Sequence, residues 1–354
     1  MSNKKTLGQF FTKNYEKIFS GITIPKDTKK IIEPFAGDCD LIKFIDDINI
    51  SIDKYDIDPK NDTTVERDTL LDPPDYTNYF ILTNPPYLAR NKSTNKEIFD
   101  LYKENDLYKC FLRILITNKS VGGLIIIPLN FFTSIRNIDI KLRKDFLYIY
   151  RIKRLNIFTK KVFSDTSYSV CSFIFVNKSL DDFEDIFENL KIQEDKSYTI
   201  DTYILPENKN LQLIFSSKND YTIGGEIYKL QKSTEYRVFR LTEDMENSDC
   251  ITNILLKALD DNGDFSDTKK SINLSIVKDD SIFYGKNTSR TYASLVIEPQ
   301  ISLEKQEEIV LSFNNFMTEK RELYDSLFLT NYREGKRKRI SFDLAYDIVK
   351  HLLL

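Results

Sequence analysis

Bulky apolar residues occur in short runs through the first half of the chain, and amphipathic or charged stretches separate them. The runs predict buried β-strands, and the stretches Asn105 to Asn118 and Ile138 to Tyr150 predict helices. Strands that alternate with helices indicate a mostly parallel sheet with crossover helices. The predicted strands begin at Lys30, Ile50, Tyr79, Gly122, Ile152 and Tyr168.

The pattern changes after about residue 185, where an acidic run marks a predicted domain boundary. Residues 186–300 carry short alternating segments and turns, which predict a second, more β-rich region. The sequence therefore predicts two domains, residues 1–185 and residues 186–354, of which the second is a mixed α/β region. Its last predicted elements are a helix from an N-cap at Ser302 to about Phe328, a basic loop at Gly335–Arg339, and an amphipathic helix at Ser341–Leu353.

Composition narrows the class of protein. The chain has 354 residues, of which 41% are hydrophobic and 30% charged, as in a globular protein with room for two domains. No apolar run approaches the ~20 residues that span a bilayer, and no signal-like segment follows the N-terminus. The four scattered cysteines predict a reducing compartment and no structural metal site. We therefore expect a cytoplasmic protein without a metal or a membrane partner.

The most informative stretch is Tyr79–Tyr87, in which an apolar strand ends in Asn84-Pro85-Pro86-Tyr87. The two prolines cannot continue the strand and keep the backbone extended. An amide, a fixed carbonyl and an aromatic ring therefore lie together just past the carboxyl end of a strand. In open α/β sheets, ligands bind at that edge.

This tetrapeptide suits one kind of chemistry. The Asn84 side-chain oxygen and the Pro85 carbonyl can both accept hydrogen bonds from one planar NH2 group, and Tyr87 can stack on the ring that carries it. Two acceptors localise the lone pair of such an amine, which is otherwise a poor nucleophile. The alternative is a Pro-Pro turn after a strand, with an ordinary surface tyrosine.

Other strand ends carry candidate ligand-binding groups. The strand at Lys30 ends in Glu33 and a small-residue turn, Phe35-Ala36-Gly37, before an amphipathic run from Leu41 to Ile48. The strand at Ile50 ends in acidic residues, about 20 residues past the first turn, where a carboxylate can reach ribose hydroxyls in doubly wound folds. The alternative for the acidic strand end is an ordinary solvated strand end. The sequence also predicts a short loop at Leu7–Thr12, and the alternative for that loop is an N-terminal segment packed on the sheet.

The order Gly8-Gln-Phe-Phe-Thr12, Glu33-Pro-Phe-Ala-Gly37, Asp56-Ile-Asp-Pro59 and Asn84–Tyr87, followed by a long tail, resembles the DNA adenine-N6 methyltransferases of the gamma motif arrangement. The resemblance covers residues 7–176 by motif. It implies a Rossmann-like methyltransferase domain with a mostly parallel seven-stranded sheet, followed by a target-recognition region. The implied reaction transfers a methyl group from S-adenosylmethionine to N6 of adenine in a short DNA sequence, after base flipping.

The resemblance also implies roles for individual residues. Asn84, Pro85, Pro86 and Tyr87 would form the catalytic motif, and Tyr87 and Phe163 would stack on the target base. Two positions depart from the family, since Cys39 replaces a usual glycine and Thr69 stands where an aromatic often covers the cofactor adenine. The implied S-adenosylmethionine-binding residues are Gly8, Phe11, Thr12, Glu33, Phe35, Ala36, Gly37, Asp56, Ile57, Asp68 and Asn84.

Double-stranded DNA is the partner that the resemblance implies. The net charge is −3, so DNA binding would need a local basic surface. Possible further partners are a separate restriction endonuclease or a second copy of the chain, since both a monomer and a homodimer fit. The predicted DNA-binding residues are Lys286, Arg290, Arg337, Lys338 and Arg339, and weaker candidates are Lys141, Arg143, Lys144, Arg151, Lys153 and Arg154.

The sequence is also compatible with three alternative functions. A protein-glutamine methyltransferase can use Asn-Pro-Pro-Tyr on a planar amide, but the long tail after the sheet does not match its layout. An RNA adenine methyltransferase would use the same chemistry, although no RNA-binding module is evident. A catalytically inactive DNA-binding subunit is the alternative outside the enzymes, and the intact Asn84, Tyr87 and Asp56 count against it.

Overall fold

The computed structural model describes most of the chain. The described residues are 12, 15–158, 162–163, 169–180, 203–204, 222–245, 248–261, 271–282, 289–324, 326–331 and 337–354. The chain divides into two compact units, Met1–Leu211 with Lys218–Thr222, and Gln212–Ser217 with Ile223–Leu354. The predicted boundary after residue 185 falls outside the described residues and stays a prediction.

The first unit is built on an eight-stranded sheet. Its strands are β1 Lys30–Glu33, β2 Ser51–Asp56, β3 Val65–Glu66, β4 Phe80–Thr83, β5 Gly122–Pro128, β6 Tyr150–Ile157, β7 Val170–Asn177 and β8 Tyr203–Ile204. They lie in the order β3-β2-β1-β4-β5-β7-β6-β8. β7 runs antiparallel to β5 and β6, and all other neighbours are parallel. This confirms the predicted fold class, a Rossmann-like α/β domain with a mostly parallel seven-stranded sheet, to which β8 adds a short eighth strand.

The centre of the sheet is close-packed. Every residue of β4, β5 and β7 is buried, which is typical of strands covered on both faces. Gly123 allows this packing, because a Cβ atom there would lie 2.7 Å from the Ile81 Cβ and 2.7 Å from the Phe175 ring. A larger residue would therefore force β4 and β7 away from β5.

Short helices complete the first unit. They are α1 Tyr15–Ile18, α2 Glu97–Tyr102, α3 Leu107–Thr117, α4 Asn130–Thr133 and α5 Asn137–Ile149, with 3-10 turns at Leu41–Phe44, Arg90–Lys92 and Lys178–Leu180. α3 and α5 confirm the two helices predicted in this region.

The amphipathic run from Leu41 to Ile48 does not form a full helix. Only its first turn, Leu41–Phe44, is helical, and Ile48 is 96% exposed. The Asp47 side chain accepts hydrogen bonds from the backbone N–H and the side-chain amide of Asn49, each at 2.9 Å. Such a local bond offers the backbone an alternative to the helix, so the chain turns there.

The second unit contains an antiparallel sheet in the order β11-β10-β12-β9. Its strands are β9 Arg237–Arg240, β10 Ile251–Lys257, β11 Asn273–Ile276 and β12 Tyr292–Glu298, and a separate pair joins β13 Thr330–Asn331 to β14 Lys338–Arg339. Two helices follow the sheet, α6 Leu303–Leu323 and α7 Phe342–Leu352. Single 3-10 turns lie at Gly225–Lys229, Glu243–Met245 and Asp279–Ser281.

The helix starts of the second unit are as predicted. The Ser302 side chain accepts from the Lys305 N–H at 3.2 Å, and Ser341 caps α7 through the Leu344 N–H at 3.2 Å.

Two predicted boundaries in this unit need correction. α6 ends before Phe328, because Ser326 adopts a left-handed φ of 57° and its N–H bonds back to the Arg321 carbonyl. The predicted basic loop contains a strand, since Lys338 and Arg339 pair with Asn331 and Thr330.

Candidate functional site

A cavity of about 340 Å³ opens at the carboxyl ends of β1, β2 and β4. The strand order reverses between β1 and β4, and ligands of open α/β sheets bind in the crevice at such a switch point. Every described residue that the sequence predicted for cofactor binding lines this one cavity, whereas Gly8 and Phe11 lie outside the described residues. The predicted residues in the lining are Thr12, Glu33, Phe35, Ala36, Gly37, Asp56, Ile57, Asp68 and Asn84, with Pro86 from the catalytic motif.

Glu33 ends β1 inside this cavity and is only 1% exposed. Its Oε2 atom is buried and has no hydrogen-bond partner among the described residues. Burial, together with Cys39 and the charge of Asp56, raises the pKa of this carboxyl well above its usual range. A buried acceptor without a partner is costly, so this oxygen is suited to a donor or a cation supplied by a ligand.

Asp56 ends β2 and braces the turn that follows β1. Its Oδ2 accepts the Gly37 N–H at 2.8 Å, and its Oδ1 accepts the Asp58 N–H at 2.8 Å. Gly37 has a left-handed φ of 48° in this turn. The carboxylate is therefore held rigidly at the cavity wall, with its two oxygens already oriented by the backbone.

Cys39 occupies the position where glycine is usual, and its φ is 58°. That is the left-handed region which glycine enters at little cost and other residues rarely adopt. The thiol lies 3.5 Å from the Thr64 hydroxyl and accepts from the Asn61 side-chain amide at 3.3 Å. The turn thus keeps the backbone shape of a glycine turn although the side chain differs.

Asp68 and Thr69 form the cavity wall beyond β3. One Asp68 oxygen accepts the backbone N–H groups of Leu70 and Leu71, at 3.0 and 3.2 Å. The buried Thr69 hydroxyl donates to the Pro34 carbonyl at 2.9 Å. Thr69 therefore ties this loop to the turn after β1.

Asn84 directly follows β4 and is half-buried at the cavity. Its side-chain amide donates to the Thr12 hydroxyl at 3.1 Å, and its Oδ1 accepts a hydrogen bond from the Tyr87 hydroxyl. Pro86 lines the cavity and Pro85 is buried behind it. The amide of the Asn-Pro-Pro-Tyr segment thus lies in the same cavity as Glu33 and Asp56.

Tyr87 and Phe163, the predicted stacking residues, are buried. Tyr87 is 3% exposed, its ring packs edge-on against Tyr108 at 6.2 Å, and its hydroxyl lies 2.9 Å from the Ile126 carbonyl oxygen. Neither ring is among the described residues that line the cavity. A stacking role for these rings therefore stays a prediction, and it would need their faces to become accessible.

Sequence reasoning missed part of the cavity wall. Leu88 directly follows the Asn-Pro-Pro-Tyr segment, so its position could have been predicted from the motif. The other missed residues come from loops, from the 3-10 turn at Leu41–Phe44, from α2 and from the start of α3. They are Asp38, Asp40, Leu41, Arg67, Leu70, Ser93, Thr94, Asn95, Ile98, Phe99 and Leu107.

The predicted DNA-binding residues that the structure describes belong to the second unit. Arg290 is exposed just before β12, and the Arg337 side chain donates to the Asp260 carbonyl at 2.9 Å. Lys338 and Arg339 are half-buried in β14. Lys286 lies outside the described residues.

Arg143, one of the weaker basic candidates, is corrected by the structure. It is 0% exposed and donates to the carbonyls of Phe131 and Ser134 and to the Thr222 hydroxyl. These bonds hold the guanidinium inside the first unit, so it cannot contact DNA.

Two kinds of feature are absent from the described residues. They contain no group of three or more His, Cys, Asp or Glu side chains arranged to hold a metal ion. None of the helices in the described ranges has both the length and the apolar character needed to cross a membrane.

No family model and no curated protein match the chain. Among solved structures, the methyltransferase subunit of a type I restriction-modification system from Streptococcus thermophilus is 17% identical, with a TM-score of 0.37 over 48% of this chain and 45% of that one. A Listeria monocytogenes protein assigned to the class I S-adenosylmethionine-dependent methyltransferases is 11% identical, with a TM-score of 0.36 over 61% of this chain and 66% of that one. The type IIG restriction endonuclease BpuSI is 13% identical, with a TM-score of 0.37 over 67% of this chain and 36% of that one.

The chain thus matches less than half the length of two of these three proteins. Likenesses this weak do not identify a family, so the fold assignment rests on the strand order.

Proposed function

We propose that the chain is a DNA adenine-N6 methyltransferase that acts at a short DNA sequence and uses S-adenosylmethionine. One observation carries the proposal: the Asn84 amide opens into the same cavity as the carboxylates of Glu33, Asp56 and Asp68. That cavity has the groups needed to hold a nucleoside-like cofactor beside the groups needed to hold a planar amine.

The residues present fit the cofactor. S-adenosylmethionine, when bound, supplies a methyl group activated by a positively charged sulfur. Glu33 offers a buried oxygen without a partner among the described residues, which suits a cationic ligand. Asp56, fixed by the N–H groups of Gly37 and Asp58, suits ribose hydroxyls, and Asp68 suits an exocyclic amine.

Asn84 and Pro85 would hold the target amine. Two acceptors on one NH2 group localise its lone pair and aim it at the methyl carbon. The amine nitrogen would form a bond to the methyl carbon as the carbon–sulfur bond breaks, with the bonding electron pair left on the sulfur, which becomes a neutral thioether. The proton that the amine loses would pass to water. An adenine inside a duplex cannot reach this cavity, so the base must leave the stack at a cost of a few kcal/mol.

DNA is the proposed substrate because the second unit follows the catalytic segment and carries the basic residues Arg290 and Arg337–Arg339. Such residues can contact phosphates and base edges. A protein glutamine side chain or an RNA adenine would require the same Asn84 chemistry and remain the substrate alternatives. A restriction endonuclease that acts separately is a proposed biological partner.

The experiment follows transfer of a labelled methyl group to unmethylated genomic DNA, total RNA and a protein extract. We expect label on N6 of DNA adenine, and we expect Asn84→Ala to lose at least about 100-fold in rate because both positioning and polarisation of the amine are lost. Asn49→Ala, a change in an exposed turn, is the control and should retain full activity.

Other outcomes would change the proposal in different ways. Label on protein glutamine or on RNA would keep the role of Asn84 and replace the substrate. Cofactor binding with no label on any of the three substrates would favour an inactive DNA-binding subunit.

A further inference from the structure

The Tyr87 hydroxyl lies between two oxygen atoms that can only accept. One is the Asn84 side-chain oxygen, and the other is the Ile126 carbonyl oxygen of β5 at 2.9 Å. A phenol has one hydrogen to donate, so the hydroxyl can serve only one of these acceptors at a time. The contact to Asn84 therefore has a chemical effect on the amide that is separate from any stacking by the Tyr87 ring.

An asparagine amide needs such a contact to present its oxygen. The terminal torsion of Asn is broad and roughly two-fold, so the oxygen and the nitrogen can exchange places at small cost. A flipped amide would turn an N–H toward the target amine, which is itself a donor, and the two would repel. Asn84 can act on an amine only while its oxygen is kept in the accepting position.

The two ends of the Asn84 amide are held from opposite sides. The nitrogen donates to the Thr12 hydroxyl at 3.1 Å, and the oxygen accepts from Tyr87. A threonine hydroxyl can donate as well as accept, so Thr12 alone would tolerate either orientation. While its hydrogen lies toward Asn84, the Tyr87 hydroxyl favours the productive orientation. With its hydrogen on the Ile126 carbonyl, the Tyr87 oxygen would instead accept from a flipped amide.

We propose that the Tyr87 hydroxyl is a positioning group for Asn84: by donating to its side-chain oxygen, it fixes the amide in the orientation that accepts a hydrogen bond from the target amine. This inference rests on the proposed function. It assigns to Tyr87 a role in the rate of the chemical step, which differs from the stacking role that the sequence predicts for its ring.

The surroundings of Tyr87 keep the hydroxyl in place and protonated. The ring is buried against Tyr108, and burial raises the pKa of the phenol well above its usual range, with smaller contributions from Cys171 and Asp106. The hydroxyl therefore remains a donor throughout the neutral pH range.

Tyr87→Phe tests the proposal because it keeps the ring and removes only the hydroxyl. The matched control is Tyr108→Phe, since the Tyr108 ring packs on Tyr87 and its buried hydroxyl donates to the Asn130 side chain at 2.7 Å, away from Asn84. In single-turnover methylation of DNA, we expect Tyr87→Phe to be at least about tenfold slower and Tyr108→Phe to stay within about twofold of the unmodified chain. Dissociation constants for DNA and cofactor should change less than twofold in both variants.

A double-mutant cycle separates positioning from other effects of the hydroxyl. In Asn84→Asp, both side-chain oxygens are acceptors, so no flip can present a donor to the amine. Removing the Tyr87 hydroxyl should therefore slow the Asn84→Asp variant by less than about threefold, against at least about tenfold in the unmodified chain.

Three results would overturn the inference. These are equal rates for Tyr87→Phe and Tyr108→Phe, a loss of cofactor binding in Tyr87→Phe, or an undiminished effect in the Asn84→Asp background. A different result bears on the proposed function instead: if the unmodified chain methylates no DNA adenine, the substrate is wrong whatever Tyr87 does.

Discussion

Glu33 and Asp56 end neighbouring strands and line the same cavity, but their carboxylates differ in hydrogen bonding. Asp56 is bonded through both oxygens to backbone N–H groups, whereas Glu33 keeps one buried oxygen without a partner among the described residues. Asp56 therefore shapes the cavity before any ligand arrives. Glu33 has the greater need of a ligand, because its buried oxygen lacks a donor among the described residues and burial disfavours the charged form of its carboxyl.

Replacing Glu33 by Gln should weaken cofactor binding. A charge-assisted hydrogen bond contributes about 1.5–3 kcal/mol, so we expect Glu33→Gln to raise the Kd for S-adenosylmethionine about 10- to 100-fold at pH 8. The raised pKa of Glu33 gives this effect a pH dependence. As pH falls, the carboxyl gains a proton and loses its charge, so the unmodified chain should bind the cofactor more weakly while Glu33→Gln changes less.

Calorimetric titration at pH 6, 7 and 8 measures this dependence, with Glu66→Gln on the exposed strand β3 as the control. A Glu33→Gln variant whose affinity equals that of the unmodified chain at every pH would remove Glu33 from the cofactor site.

At the scale of elements, the strand ends were predictable and the side-chain orientations were not. Apolar runs closed by Pro, Gly or Asp place Glu33, Asp56 and Asn84 at one edge of a parallel sheet, because all such strands point the same way. The Tyr87 ring packs against Tyr108 of α3, and its hydroxyl lies beside the Ile126 carbonyl, 39 residues away along the chain. No local pattern encodes that contact.

Two further predictions about elements differ from the structure for physical reasons. Strand β10 of the second unit does not alternate polar and apolar residues regularly, and β11 alternates over only four residues. The sequence interpretation singled out neither strand. The run from Leu41 to Ile48 has a helical pattern, but the backbone is already extended at Ile45, and beyond it the Asp47 side chain bonds to Asn49 in a local turn. For these strands and for the Leu41–Ile48 run, the spacing of the hydrophobic residues gave less information than the contacts that each segment makes in the fold.

The start of α3 carries a buried carboxyl that should oppose folding at neutral pH. Asp106 precedes the helix, is 8% exposed, and its Oδ1 has no partner among the described residues. Burial raises its pKa to about 6, although Lys109 and the N–H groups of Tyr108, Leu88 and Leu107 lower it. Since this pKa lies above that of the unfolded chain, the group stabilises the fold below about pH 4 and loses that contribution as pH rises through 6.

Asp106→Asn should therefore stabilise the first unit in a pH-dependent way. Asn is a good N-cap and carries no charge, so we expect the free energy of unfolding to rise by about 1–3 kcal/mol at pH 7.5. The gain should shrink toward zero at pH 4, where the carboxyl of the unmodified chain is protonated in both states. Chemical denaturation at pH 4, 6 and 7.5 measures the difference.

Asp139→Asn is the contrasting variant. Asp139 is equally buried, but it bonds Lys109 at 2.5 Å and contacts Ser134 and Arg136. Its burial would raise the pKa, yet Lys109 and these neighbours lower it. The stabilisation it provides is present at neutral pH and lost on acidification, so Asp139→Asn should destabilise at pH 7.5. The same sign for both variants would contradict this account of the two carboxyls.

At the scale of the whole molecule, a net charge of −3 means that the proposed DNA substrate would be attracted by part of the surface and repelled by the rest. The proposed contacts between basic side chains and DNA phosphates are therefore confined to a local surface, and a binding measurement can count them. Each phosphate that a basic side chain neutralises releases counterions. In a plot of log binding constant against log salt concentration, each such contact adds about −0.9 to the slope. Because this effect does not depend on the bases, the salt dependence counts phosphate contacts on DNA of any sequence.

Arg290→Gln and Arg337→Gln should each make this slope shallower by about one, because each removes one proposed phosphate contact. Lys305→Gln, which removes an equal charge from α6 where Lys305 pairs with Glu308, is the control and should leave the slope unchanged. The measurement is a fluorescence titration of DNA from 50 to 200 mM salt, with the cofactor Kd measured in parallel. A slope that changes equally in all three variants would mean that net charge alone governs binding. A slope unchanged in all three would place the DNA contacts on other residues of the chain.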